Sequence, residues 1–200
     1  MNCSLWLGFF AAFVLLVPLA SGQTAAPLDE TLARQSLSAK PARNPVKSVA
    51  PVVKRTHERR ATKGLNVEVD VEVIHRTDGS TEEHTFMPLP ILFVVNSDQL
   101  LDEVSRANVR KLAAIIQEIS ADGKASFSIQ GHTSAEGDAK ANQQLSERRA
   151  ARIQALLAAE GVPMQTLVAI GLGEEVARFP DSAAESELQQ DRRVLVVRMR

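Results

Sequence analysis

Gly131-His132-Thr133-Ser134-Ala135-Glu136-Gly137, running on through Asn142, Leu145, Ser146, Arg149 and Ala150, decides how this chain is read. The stretch has the form of a loop that leaves a strand and feeds a helix. The strand is predicted over 125–130, where Phe127 and Ile129 alternate with Ser126, Ser128 and Gln130. The helix is predicted over 139–160, closed by Gly161 with Pro163 beyond. At about 100° per residue, Asn142, Ser146, Arg149, Ile153, Leu156 and Leu157 share one face. That face should be buried, yet its first two turns are polar, and buried polar groups are costly unless hydrogen-bonded. Two readings are open. Arg149 is either a structural arginine tied to a carboxylate or to loop carbonyls, or part of a pocket at the helix N-terminus that takes up an anionic group.

Further along, Gly171-Leu172-Gly173-Glu174 and Asp191-Arg192-Arg193-Val194 follow in order. Together with GHTSAEG and NQQLSERRA, these four ordered motifs resemble the OmpA C-terminal-like family, which includes the peptidoglycan-associated lipoproteins and the anchoring domains of flagellar stator proteins. The resemblance covers residues 88–200. It implies non-covalent binding of peptidoglycan through the diaminopimelate of the stem peptide. In the family, the Asp of a GHTD motif holds the ammonium and the Arg of an LSxxRA motif holds a carboxylate. The arginine carries over to Arg149, with Arg148 beside it. Asn142, Leu145 and Ser146 match the helix positions, and Thr133 and Gly137 match the loop. The aspartate does not carry over: Ser134 stands in its place, and Ala141 replaces the usual tyrosine. Serine supplies no counter-charge, and charge-assisted bonds are roughly twice as strong as neutral ones. Glu136 and Asp138 lie in the same loop as possible substitutes, or as acids beginning a helix where negative charge is favourable. Arg193 is a further candidate for a carboxylate; the alternative is a scaffold in which Asp191 pairs with Arg149 or Arg192. The expected ligand set is therefore Thr133, Ser134, Gly137, Asn142, Leu145, Arg149 and Arg193. Gly171 and Gly173 are expected to be conformational. His132 is expected to hydrogen-bond within the loop.

Working outward, 91–95 is a continuous apolar run, expected as a buried strand. A helix is predicted from 102 or 103 to 120, with Leu112, Ile115, Ile116 and Ile119 at i, i+3, i+4 and i+7. A short strand at 166–170, a long polar loop at 174–190 and a last strand at 193–199 complete the domain. The expected fold is an α/β two-layer sandwich, β-α-β-α-β-β, a mixed sheet with two helices on one face. Ahead of it, 64–87 reads as an accessory β-hairpin. Val67, Val69, Val71 and Val73 alternate with Glu68, Asp70 and Glu72, and Asp78-Gly79 marks the turn.

Residues 23–63 hold Pro27, Pro41, Pro45 and Pro51 with little apolar periodicity, and are expected to be a disordered linker. Nine basic residues there face three acidic ones, whereas from Gly64 onward 14 basic residues face 21 acidic ones. A basic tether beside an acidic domain points to peripheral contact with anionic envelope components, or simply to a solvated tether. The apolar run at 5–17, followed by Ala20-Ser21-Gly22, reads as a secretory signal peptide over 1–22, with an uncleaved anchor as the alternative. This implies a periplasmic protein of a Gram-negative-type envelope, associated with the wall or outer membrane. Cys3 is the only cysteine and the four histidines are scattered, so no metal or cofactor is expected. Nucleic acid is a poor partner for an acidic domain in a chain with no tyrosine and a single tryptophan, Trp6, inside the expected signal segment. No nucleophile elbow or third catalytic member accompanies His132 and Ser134, so an enzyme is not expected. The alternative to wall binding is an OmpA-like fold serving as a protein-interaction domain, with weakened or lost peptidoglycan binding.

Overall fold

In the computed structural model, residues 23–39, 50–61 and 68–199 are described. The expected signal segment 1–22, and residues 40–49 and 62–67 of the expected linker and hairpin, lie outside them. Chain order is α1 (Glu30–Ser38), β1 (Val52–Ala61), β2 (Glu68–Arg76), β3 (Thr81–Leu89), α2 (Glu103–Ile119), β4 (Phe127–Gly131), α3 (Ala139–Ala159), β5 (Leu167–Gly171), α4 (Glu185–Asp191) and β6 (Val194–Arg198). The six strands form one mixed sheet in the order β1-β2-β3-β6-β4-β5. Only β4 and β5 pair in parallel; β6 lies between β3 and β4, antiparallel to both. The two-layer α/β class holds, with α1, α2 and α3 gathered on one face.

Local chemistry sets the element ends. Asp102 caps α2 by accepting from the Ser105 amide at 2.7 Å, and Asp138 caps α3 by accepting from the Ala141 amide at 2.8 Å. Between helices and sheet lies a dry core. Leu112, Ile115 and Ile116 of α2 and Ile153 and Leu157 of α3 meet Phe127, Ile129, Val194 and Val196 of the sheet.

Four expectations are corrected. First, residues 23–39 are not a disordered linker. Asp29 caps α1, Leu37 is fully buried, and Leu28 and Ala33 join the same core. The segment is also stitched by polar bonds, since Asn108 of α2 accepts from the Leu28 amide at 2.9 Å and donates to the Ala26 carbonyl at 2.8 Å. A third helix thus joins the expected two. Second, residues 50–61 supply an edge strand, so the expected accessory hairpin is the middle of a three-strand meander continuous with the main sheet. Third, residues 91–95 are not a sheet strand. Because β6 occupies the free edge of β3, the run folds back on itself: Phe93 bridges Leu100, and the Val94 amide donates to the Gln99 carbonyl at 2.9 Å. Fourth, the polar loop at 174–190 contains α4, whose Leu188 and Asp191 are buried.

The second face of the sheet is also covered, by curvature. Across β2, β3, β6 and β4 a flat sheet would separate the outer pair by about 14 Å, with side chains standing perpendicular. Yet Gln130 of β4 donates to Glu72 of β2 at 3.0 Å. The sheet therefore curls, and the supposedly solvent-facing Glu72 is fully buried.

Candidate functional site

The loop between β4 and α3 owes its position to close backbone approach. A Cβ at Gly131 would fall inside the Ser146 carbonyl, and one at Gly171 inside the Glu147 amide, so only glycine lets β4 and β5 press against α3. With the strands seated, the Ser146 hydroxyl accepts from the Gly173 amide at 2.9 Å and the Thr133 amide donates to the Gly173 carbonyl at 2.8 Å. Asn142 staples the same loop, donating to the carbonyls of Ser134 and Glu136 at 3.3 and 2.8 Å and to Glu174 at 2.8 Å. Gly137 turns the chain with φ +90°. Thr133 and Asn142 thus hold the loop in shape, and Leu145 is half-buried beside them.

One turn beyond Ser146, Arg149 is only 7% exposed. Its Nε donates to the Ser97 carbonyl at 3.0 Å, and its guanidinium lies over the Phe93 ring, 4.7 Å from the centroid. Among the described residues it has no ion pair, and neither Nη is hydrogen-bonded or fully buried. Burial pushes its pKa down to about 10, with repulsion from Arg192 and Arg148 adding to the shift and Asp98 opposing it. The side chain remains a cation at neutral pH, held by one edge and one face, with its Nη groups open for an oxyanion fork.

Across the loop, Ser134 is buried and donates to Glu136 at 3.4 Å. Glu136 also receives Arg192 at 3.1 Å, and Arg192 reaches on to Glu185. Asp138 is committed to capping α3.

The OmpA family model matches residues 92–192, just over half of the chain. The chain belongs to the OmpA family. Outer-membrane lipoprotein YfiB of Pseudomonas aeruginosa is 34% identical over 113 residues, 56% of this chain and 63% of that protein, so the match spans less than two thirds of that relative. The periplasmic domain of Helicobacter pylori MotB matches at a TM-score of 0.50 with 19% identity, over 57% of this chain and 81% of that one. The peptidoglycan-associated lipoprotein of Burkholderia pseudomallei matches at 0.47 with 25% identity, over 55% and 88%.

Within this OmpA-family domain, the candidates from sequence separate into two groups. Thr133, Ser134, Gly137 and Asn142 belong to one bonded loop at the N-terminus of α3, with Leu145 and Arg149 on the helix that it feeds. Arg193 is occupied elsewhere. It pairs with the fully buried Asp191 at 3.2 Å and donates to His57 of β1 at 3.3 Å, inside the curl of the sheet. Burial, then repulsion from Arg178, lowers it to about 10 against the pull of Asp191. Asp191 pairs with Arg178 and Arg193, not with Arg149 or Arg192.

His132 also faces the curl, edge-on to His57 with centroids 5.9 Å apart. Neither ring nitrogen has a hydrogen-bond partner among the described residues, contrary to the expected bonding role. Burial, followed by the charges of Arg193, His57, Arg55 and Arg178, drives its pKa well below the ordinary imidazole value, so the ring is neutral. The neighbours of Arg149 that sequence reasoning missed are Phe93 and Ser97, which touch it, and Asp98 and Arg192, whose charges act on it. Arg192 stood in the DRR motif, one residue from the one chosen.

Proposed function

We propose that this OmpA-family domain is a non-covalent peptidoglycan-binding module that anchors the protein to the wall beneath the outer membrane, with no catalytic role. Arg149 carries the reading. An arginine this buried, without a carboxylate of its own, costs stability unless something else uses the charge. Its Nε and ring contacts fix the guanidinium in place, so a carboxylate of the stem peptide meets a pre-oriented fork at little entropic cost. Membership in a family whose domains bind peptidoglycan gives the ligand class, and the diaminopimelate-type stem peptide is the specific ligand proposed. The likeness to an outer-membrane lipoprotein supports an envelope location, consistent with the expected export segment. Contact of the basic tether with anionic envelope components has less support, because Arg34 pairs with Glu30 and Glu118, and Arg55 pairs with Glu72.

The test is co-sedimentation of the full chain with purified sacculi. A truncation at residue 64 would strip Leu37 from the core and is unsuitable. Wild type is expected in the pellet. Arg149→Ala, with an unchanged melting profile, is expected to lose binding by at least about tenfold, the scale of one charge-assisted pair. Wild type remaining in the supernatant would replace wall anchoring with the protein-interaction reading.

A further inference from the structure

Cations are distributed unevenly after Glu68. Elsewhere the arginines are spent on partners: Arg76 on Glu82, Arg106 and Arg110 on Glu103, Arg192 on Glu136, Arg178 and Arg193 on Asp191, and Arg198 on the Leu37 carbonyl. Helix α3 is the exception. It carries Lys140, Arg148, Arg149 and Arg152 against the single acid Glu147, and none of these cations has an ion pair among the described residues. The Glu147 carboxylate accepts from Gln143 at 2.8 Å. Acids are not scarce, since from Gly64 onward 21 acidic residues face 14 basic ones.

Arg148 and Arg152 are exposed, and neither side chain has a hydrogen bond among the described residues. They stand at i and i+4, where like charges work against the helix. At about 100° per residue, Arg152 lies about 60° round the helix from Arg149 and Arg148 about 40° further the same way, all within about 6 Å of axial rise. The three side chains therefore leave α3 along one arc, which begins at the edge of the buried face and runs into solvent. Beside it, Gln144, Ala151 and Ala155 are exposed, and none of the large exposed hydrophobic residues lies on α3. The face offers a partner charge, with no apolar patch to insert into a bilayer.

We propose that Arg148 and Arg152 form a polyanion-binding surface that extends the Arg149 site, so that the domain grips the wall as a polymer. Arg149 holds one stem peptide, and the other two arginines attract the carboxylates of neighbouring stems. The inference rests on the carboxylate reading of Arg149 given above. A wall strand repeats its carboxylates along its length. Fixed cations next to a binding fork raise the local concentration of such a strand and add weak contacts that act together. Each contact is exposed and screened, so the arc supplies avidity and salt dependence rather than ligand identity.

The experiment measures binding of the full chain to two probes, purified sacculi and a soluble disaccharide–tripeptide bearing one diaminopimelate. Arg148→Gln with Arg152→Gln is compared with Arg148→Lys with Arg152→Lys. At low salt the glutamine pair is expected to bind sacculi about tenfold less well than wild type, the scale of two exposed charge contacts, with the gap closing towards about 1 M salt. The lysine pair is expected to keep most of the affinity, since charge rather than fork geometry acts here. Affinity for the single-stem probe is expected to be unchanged in both. Sacculus binding that the glutamine pair leaves unaltered, while Arg149→Ala abolishes it, overturns the arc and leaves the carboxylate reading intact. Equal loss on both probes also overturns it, because the two arginines then belong to the single-stem site. Wild-type binding to phosphatidylglycerol vesicles that the glutamine pair abolishes, with sacculus binding unchanged, overturns it in favour of a lipid surface. Binding of neither probe by wild type overturns the carboxylate reading and this inference with it.

Discussion

The two faces of the sheet are both buried, by different means. On the helix side, Phe127, Ile129, Val194 and Val196 meet three helices through apolar contact alone. On the curled side a smaller apolar patch of Phe86, Leu195 and Val197 adjoins Glu72, Gln130, His57, His132 and Arg193. The first face is stabilised by removing hydrocarbon from water, a non-directional effect that tolerates rearrangement. The second depends on partners being in place, because a buried charge or amide without one is expensive. Glu72 illustrates the balance. Burial would raise its pKa, but interaction with His57, the charge of Arg55 and the bond from Gln130 outweigh it, and the group stays below its ordinary value as an anion.

The comparison breaks most sharply by truncation. Phe127→Ala, on the helix side, should cost about 3–5 kcal/mol from lost burial and the cavity left behind; urea unfolding measures it. Glu72→Ala should cost about 3 kcal/mol by taking from Gln130 its carboxylate and from Arg55 the nearer of its two, Glu175 being the other, and Glu72→Gln clearly less. If the alanine variant loses under about 1 kcal/mol in urea unfolding, the curled side does not act as a second core. The smallest effect is one of pH. His132 is held neutral when folded but takes a proton near 6.5 when unfolded. Below that value the unfolded chain binds more protons, so stability falls as pH drops, by at most about 1.4 kcal/mol per unit, and is flat above it. Thermal unfolding from about pH 7.5 to about pH 5.5 should show a shallower loss for His132→Gln than for wild type. Equal slopes would mean that the curl admits water to that ring.

This division also explains what could be read from the sequence. Elements of the helix side announce themselves: the stripe of α2, the body of α3, the alternation in β4 and the glycine loop were all legible. So was the β2–β3 hairpin, through Asp78-Gly79. The curled side was not. Glu72, Arg55 and His57 look like solvent-facing residues until β1 and β2 bend over β4, and no local pattern encodes that bend. The docking of α1 escaped for a related reason, since Leu28, Ala33 and Leu37 are three widely spaced apolar residues beside Pro27, and a helix so short is fixed by tertiary contact rather than propensity. At the site, Arg149 was legible because a charged residue sat on an apolar helix face. Phe93 was hidden in a run that has the composition of a strand, and Ser97 and Asp98 in the short polar turn that follows it. Arg192 and Arg193 part by parity: in extended chain, neighbours point to opposite sides, and the motif alone does not say that Arg193 turns into the curl while Arg192 reaches Glu136.

The contact of Gly131 and Gly171 with α3 bears on tolerance as well as fit. The two strand ends touch the helix at Ser146 and Glu147, less than one turn before Arg149. A single methyl at either glycine acts as a shim at the base of a lever whose tip is the guanidinium. The hydrophobic core could absorb a small tilt of α3 and still fold, whereas a binding fork has to be held within about 0.5 Å of its working position. The alignment of the proposed binding fork is therefore set by two hydrogens where other residues carry a side chain, and on that proposal damage there shows up as lost grip well before it shows up as lost structure.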